Sequence, residues 1–278
     1  MKTRLTARLY ALIVLAAGSI LMTASPARAQ FQARPLNDPA TGERYHIEAA
    51  AGLWFPTASM SISSESLGIL GSTIDFKRDL ALTDQRFPEL HLEARANRSK
   101  FRFQFIPIQY EQTATLTREI VFNGQRYRVG VPVKSTLDWK AYRIGYEYDF
   151  FQTNRWFAGV ILDWKQTDVT ATLATVTPGL LEFARARAPI PAVGGVVRGY
   201  VVPNISITAE VTGFKLPDNV IKDIGGHYFD VDIYGTLNFT NNVGVQVGYR
   251  SFDVGYLVDT DTGSFTLNGM FFGIVARY

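Results

Sequence analysis

Two-residue alternation of apolar and polar side chains, repeated in ten segments from about Arg44 to Tyr278, constrains this chain more than any other feature. Phe229, Val231, Ile233 and Leu237 alternate with Asp230, Asp232, Tyr234 and Thr236. Ile205, Ile207, Ala209 and Val211 alternate with Ser206, Thr208, Glu210 and Thr212, and Leu90, Leu92 and Ala94 with Glu89, His91, Glu93 and Arg95. Successive strand side chains point to opposite faces, so each segment has one apolar and one wet face. The segments cover about 45–57, 86–97, 99–113, 133–150, 155–169, 184–201, 204–214, 226–240, 243–257 and 264–278. Most reach the ~9–11 residues that a tilted strand needs to cross a bilayer. Strands of ordinary globular proteins average about five or six.

The connections alternate in length. Asn97-Arg98-Ser99, Gln152-Thr153-Asn154, Pro203-Asn204 and Thr240-Asn241-Asn242 read as tight turns, whereas 58–85, 114–132, 170–183, 215–225 and 258–263 read as longer loops. Short inner turns and longer outer loops are the pattern of transmembrane barrels, and the alternation puts both termini on the inner side. After the N-terminus no stretch reaches the roughly 18 consecutive apolar residues of a spanning helix.

The first thirty residues differ from the rest. Lys2, Arg4 and Arg8 precede an almost wholly apolar run from Leu9 to Leu21, and Ala27-Arg28-Ala29 follows. A positive start, a short apolar core and small residues at an Ala-x-Ala site make a secretory signal peptide cleaved before Gln30. The formal charge of +3 belongs to this segment. Removing its four bases from the 28 of the whole chain leaves 24 against 25 acids, so a nucleic-acid reading loses its support. With no cysteine, disulfide frameworks, thiol catalysis and cysteine-bound zinc are excluded.

Met270, Phe272, Ile274, Ala276 and Tyr278 share one parity, and Tyr278 is the last residue. A final amphipathic strand ending on an aromatic resembles the C-terminal signal of bacterial outer-membrane β-barrel proteins. That resemblance implies recognition by the barrel-assembly machinery through the strand ending at Tyr278. Phe150, Phe151, Trp156 and Phe157 flank one short turn and Phe239 another, as in an interfacial aromatic girdle; Trp54, Trp139, Trp164 and Tyr256 lie nearer the outer ends.

Two irregularities interrupt the pattern. Parity shifts around Pro107, which predicts a bulge or bend. In the following loop, Asn123-Gly124 between 118–122 and 126–129 reads as a type I′ turn, a hairpin expected to extend its flanking strands above the membrane. Residues 64–83 have room for a short hairpin or helix.

The parity sends a mixed-charge set into the lumen: acids Glu48, Glu89, Glu93, Glu147, Asp149, Asp163, Glu210, Asp230 and Asp232, and bases Arg95, Arg102, Arg143, Lys165, Arg198, Arg250 and Arg277. A barrel of about eight to ten strands is filled by its own side chains, so these groups are expected to pair into a salt-bridged plug. Chemistry has few footholds. The histidines are His46, His91 and His227, and no His-x-Ser occurs as in outer-membrane lipid A deacylases. His227 with Asp230 lies near an outer rim, and Asp259 and Asp261 sit in the last outer loop, a weak echo of omptin-type proteases. His91 between Glu89 and Glu93 suits a lumenal hydrogen bond better than a metal. Gly194-Gly195 lacks the context of a phosphate loop and fits a bend or close packing in a strand.

The sequence therefore predicts an all-β protein: a closed antiparallel transmembrane β-barrel of about ten strands, with eight or twelve left open. Residues 1–29 form the signal peptide, 30–44 a short periplasmic segment and 45–278 the barrel, monomeric in the outer membrane. Outer-membrane lipids are expected partners. No nucleic acid, cofactor, metal or catalytic residue is assigned. The expected role is structural or surface-interacting, through extracellular loops. The alternatives are a narrow channel or carrier for small or hydrophobic solutes, and a lipid- or peptide-hydrolysing enzyme.

Overall fold

A computed structural model describes residues 39–63, 71–176, 181–221, 224–258 and 261–278. The signal peptide at 1–29, the start of the segment 30–44, and Asp259 lie outside the described residues. Ten long antiparallel strands follow one another around the wall. They are β1 (Ile47–Ser63), β3 (Phe87–Ala96), β4 (Ser99–Thr115), β7 (Pro132–Gln152), β8 (Trp156–Thr175), β9 (Leu181–Val202), β10 (Ile205–Ile221), β11 (Ile224–Asn238), β12 (Val243–Val258) and β13 (Asp261–Arg277). The first and last pair from Glu48↔Arg277 to Ser63↔Thr262, so the sheet closes and presents no edge to lipid. The small elements β2 (Ile74–Asp75), α1 (Phe76–Leu80), β5 (Ile120–Phe122) and β6 (Gln125–Tyr127) belong to the outer end.

The outward rows show where lipid lies. On β8 they run Trp156, Ala158, Val160, Leu162, Trp164 and then turn polar at Gln166 and Asp168. On β7 Phe150, Tyr148, Tyr146, Ile144 and Tyr142 give way to Lys140 and Asp138, and on β11 Leu237 to Phe229 gives way to His227. Trp156 to Trp164 is nine residues. Over those eight steps, at ~3.3 Å per residue and a tilt near 40°, the row spans about 20 Å, comparable with the apolar band of about 25 Å on outer-membrane barrels. Ile144, Leu162 and Ile274 stand about 60% exposed on this belt, which is stable only against hydrocarbon.

The strands continue beyond the belt. Residues 170–175, 181–183 and 215–221, expected in loops, are strand, and β12 and β13 reach Val258 and Asp261. Once a strand leaves lipid its outward row becomes polar, and the contrast that marks a strand in the sequence fades. The same change explains Pro107. The β4–β7 register runs without a break from Ser99↔Tyr148 through Pro107↔Lys140 to Thr115↔Pro132, so there is no bulge. Phe101, Phe103 and Phe105 face outward below this point, whereas Ile106, Ile108 and Tyr110 face inward above it. Hydrophobicity changes sides while register does not. Having no N–H, Pro107 lies just past the last β3–β4 pair, Leu90↔Phe105.

Asn123 (φ 50) and Gly124 (φ 76) make the expected type I′ turn. The hairpin β5–β6 does not prolong β4 and β7. It forms a separate two-stranded sheet folded inward, with Ile120, Phe122 and Tyr127 buried to 2% or less. Tyr127 donates its hydroxyl to the Leu173 carbonyl (2.9 Å), and Asn123 Nδ2 reaches Glu182 (3.1 Å). Burying three large side chains, at about 1.5–3 kcal/mol each, outweighs simple extension into water. The helix α1 is started by Asp75, whose side chain accepts from the Arg78 amide at 2.8 Å.

Candidate functional site

The lumen has layers, set by which inward positions lie at each height. At the level of the lipid belt the charged residues assigned to the interior occupy the inward rows and pair across it. Arg102 on β4 meets Glu210 on β10 at 2.6 Å and Glu147 at 3.1 Å. Arg143 pairs with Asp163 at 2.6 Å and with Glu210. Arg250 grips Asp232 through two nitrogens (2.6 and 3.1 Å) and reaches Glu89 on β3 at 2.8 Å. Lys165 bonds Thr212 (2.9 Å) and Asp230 (3.2 Å) and lies over the Tyr228 ring. Such a network rigidifies the interior while every charge keeps its partner. Lys100, absent from the lumenal set read from the sequence, joins it by pairing with Glu147 (2.6 Å) and Asp149 (3.0 Å). The parity of β4 carried that signal, since Lys100 shares the row of Arg102.

Residues 39–46 close the inner mouth, rather than standing clear of the barrel. The Ala40 amide donates to Asn154 (3.2 Å), that of Thr41 to Pro203 (2.6 Å), and that of Gly42 to the Asn241 side chain (3.0 Å), so the segment visits three inner turns in succession. Glu43 then enters the lumen and binds Arg95 (2.8 Å), Arg198 (3.0 Å) and the Tyr200 hydroxyl (2.7 Å). Burial pushes the Glu43 carboxyl up, but Arg198, Arg95 and Tyr200 hold it down at about 2. Tyr45 hydrogen-bonds Glu93.

Above the belt the interior turns apolar. Trp54, Tyr110, Leu137, Trp139 and Leu267 are at most 1% exposed, and Trp139 packs on Phe252 and Phe265 at 5.1 and 5.6 Å between ring centres. Trp54 and Trp139, placed by the sequence among aromatics of the outer ends, are thus core residues. Phe157 too is buried, while Trp156, Trp164 and Phe239 remain on the outside. Periodicity predicted alternation but not that the wet face would become dry once the strand left the membrane. Over this core lie α1 and the β5–β6 hairpin, joined through Asp79. Hydrogen bonds from Arg118 outweigh burial and hold the Asp79 carboxyl well below the usual carboxylate range. The Ser72 and Val121 backbones bond at 2.8 Å, and Val121 N donates to Ser72 Oγ at 3.0 Å.

Among the described residues, two small cavities flank the ionic layer of the lumen. One of about 50 Å³ lies in the ionic layer between Glu48, His91 and Tyr234, and one of about 40 Å³ lies above it beside Trp54, Ile108 and Phe252. Gln104, Arg143 and Arg250 line both, so this layer divides them. Each has room for a few waters. Small-molecule pockets measure about 300–1,000 Å³.

The histidines are dispersed. His46 is exposed at the inner rim. His91 Nε2 lies 3.0 Å from the Gln104 amide and 3.4 Å from Glu89, the lumenal hydrogen bonding expected of it. His227 does not meet Asp230, because the two have opposite parity: Asp230 points inward to Lys165, and His227 stands on the outer wall, 3.1 Å from Asp253. Asp253 also accepts from the Thr266 hydroxyl at 2.7 Å. Among the described residues no hydroxyl is bonded to either His227 nitrogen, and no group of three acidic or histidine side chains is arranged to hold a metal ion. Gly194 fits the close-packing reading, since a Cβ there would strike the Val211 carbonyl on β10.

No family model matches the sequence, and no curated protein matches it. Solved structures do match the fold. The crystal structure of the outer membrane protease OmpT from Escherichia coli aligns with a TM-score of 0.55 over 88% of this chain and 100% of that chain, at 7% identity. The toluene transporter TodX of Pseudomonas putida (TM-score 0.37, 9% identity, 84% of this chain and 90% of that one) and the attachment invasion locus protein Ail of Yersinia pestis (0.35, 10%, 82% and 99%) align more loosely. The first of these likenesses establishes a shared fold, not a shared activity.

Proposed function

We propose that this outer-membrane β-barrel is sealed to solutes and serves a structural or surface-interacting role through its outer end. The observation that carries this reading is the layered closure of the lumen. Among the described residues, an ionic layer lies at belt height, an apolar core above it, the segment 39–46 below and the α1–hairpin cap on top, and the cavities flanking the ionic layer measure about 50 and 40 Å³. A conducting path would have to cross both a paired ionic layer and a dry core, and each opposes a hydrated ion. What remains exposed to the exterior is the polar outer wall and the cap, with Arg78, Arg126 and Arg128 at the surface. Planar-bilayer recording of the purified barrel tests the reading. The expected trace has no discrete steps; steady unitary conductance would overturn it in favour of the channel alternative.

A further inference from the structure

We propose that the outer wall over β10–β12 binds the phosphate of an outer-leaflet lipid, with Lys215 and His227 as its donors. The argument starts from the height of the lipid. On β10 and β11 the apolar outward rows end at Val211–Gly213 and Val231–Phe229, and the next outward residues are Lys215 and His227. They are direct register partners, Lys215↔His227, so an ammonium and an imidazole stand side by side where the acyl chains of a lipid end and its headgroup begins.

The site is built rather than incidental. The imidazole lies across Gly255, its register partner on β12, where any Cβ would collide with the ring. Its Nε2 is held 3.1 Å from Asp253 Oδ2, and Asp253 Oδ1 is fixed in turn by the Thr266 hydroxyl at 2.7 Å. A bond chain over β13, β12 and β11 thus orients one exposed imidazole on the outer wall. As imidazolium it donates from both nitrogens, one to Asp253 and the other, Nδ1, to an acceptor above the belt. Lys215 has no ion-pair partner among the described residues. Other cations at comparable height are differently placed: Lys134 is paired with Glu111 at 2.6 Å, and Lys140 stands in register with Asp168.

A phosphate carried on a lipid suits this geometry better than a free ion. The acyl chains would lie along Val211, Phe229 and Ile233, exposed on the outer wall below Lys215 and His227. The inference concerns the outer wall and stands whether or not the lumen conducts.

The test uses the full barrel in neutral detergent at pH 6 and native mass spectrometry, with dioleoylphosphatidate as probe and dioleoylphosphatidylcholine as the zwitterionic comparison. The wild type should retain phosphatidate over phosphatidylcholine. Removing both donors in Lys215→Gln/His227→Gln should lower phosphatidate retention about tenfold, of the order expected for losing surface donors that face an anionic lipid. Lys140→Gln should retain it as the wild type does. Heat-modifiable gel migration confirms that each variant is folded. Equal retention by the wild type and the double variant would overturn the proposal, as would equal loss in Lys140→Gln. Displacement by excess inorganic phosphate would overturn the assignment to a lipid.

Discussion

Arg118 holds Asp79 with both arms of its guanidinium, Nη2 at 2.6 Å and Nε at 3.0 Å from the two carboxylate oxygens. This pair ties the β5–β6 hairpin to α1, and Arg118 also donates to the Thr73 carbonyl at 2.5 Å. The bidentate contact joins two loops that are far apart in the chain and adds to the Ser72–Val121 bonds that also link them.

Arg118→Met should loosen the cap without unfolding the barrel. Arg118 is partly exposed, so its loss is expected to cost only about 1–2 kcal/mol. Limited chymotrypsin digestion of the hairpin should quicken about tenfold while heat-modifiable migration of the barrel stays unchanged. Unaltered digestion would show that the apolar hairpin contacts hold the cap alone.

Glu210 is the shared acceptor of Arg102 and Arg143. Glu210→Gln takes from two buried guanidiniums the carboxylate they share, leaving Arg102 to Glu147 and Arg143 to Asp163, and should destabilise the barrel by about 3–5 kcal/mol, read as a lower urea midpoint. Combining it with Arg102→Met should recover part of that loss, because the surplus charge is then reduced. A double variant less stable than the single one would contradict the pairing.

Trp139 and Trp164 distinguish core from girdle. Trp139 is 1% exposed inside the barrel and Trp164 is 52% exposed outside it. Trp139→Ala should cost about 3–5 kcal/mol through the cavity it leaves. Trp164→Ala should cost clearly less. Similar urea midpoints for the two variants would refute the dry upper core.

Facing within the belt is tested by Ile233→Asp, which puts a charge against lipid at a cost of about 2 kcal/mol and should depress the folded fraction in heat-modifiable gels. Thr236→Asn, on the inward row, should be tolerated. Equal damage from both would mean the faces are reversed.

Glu43 gives the inner segment an acid sensitivity. Its folded value of about 2 lies below the ordinary 4.5, so its stabilising contribution is complete above pH 4.5 and is lost as pH falls toward 2. The chain has no cysteine, so a nitroxide on Ala40→Cys reports this segment alone. The label should be immobile at neutral pH and mobilise on acidification. With Glu43→Gln it should already be mobile at pH 7; an immobile label there would rule out Glu43 as the anchor.

Much of this was legible in the residues. The ten strands, the inner turns at Asn97-Arg98 and Pro203-Asn204, the type I′ turn at Asn123-Gly124 and the inward row from Glu48 to Arg277 all follow from local periodicity and turn chemistry. The inward fold of the hairpin was not legible, because nothing near Tyr127 in sequence announces Leu173 as its partner. The His227–Asp253 contact was missed for a similar reason. Asp230 was nearer in the chain, but the strand sends it to the other face.

The sequence alone determined which residues face lipid, because hydrocarbon demands an unbroken apolar row and that demand is met strand by strand. Only the closed tertiary structure decided what fills the interior. Arg102 finds Glu210 across 108 residues, and Ile106 and Trp139 become core just where the outer wall turns wet. The physical reason is that lipid acts locally on each strand, whereas the lumen exists only once the first strand has met the last.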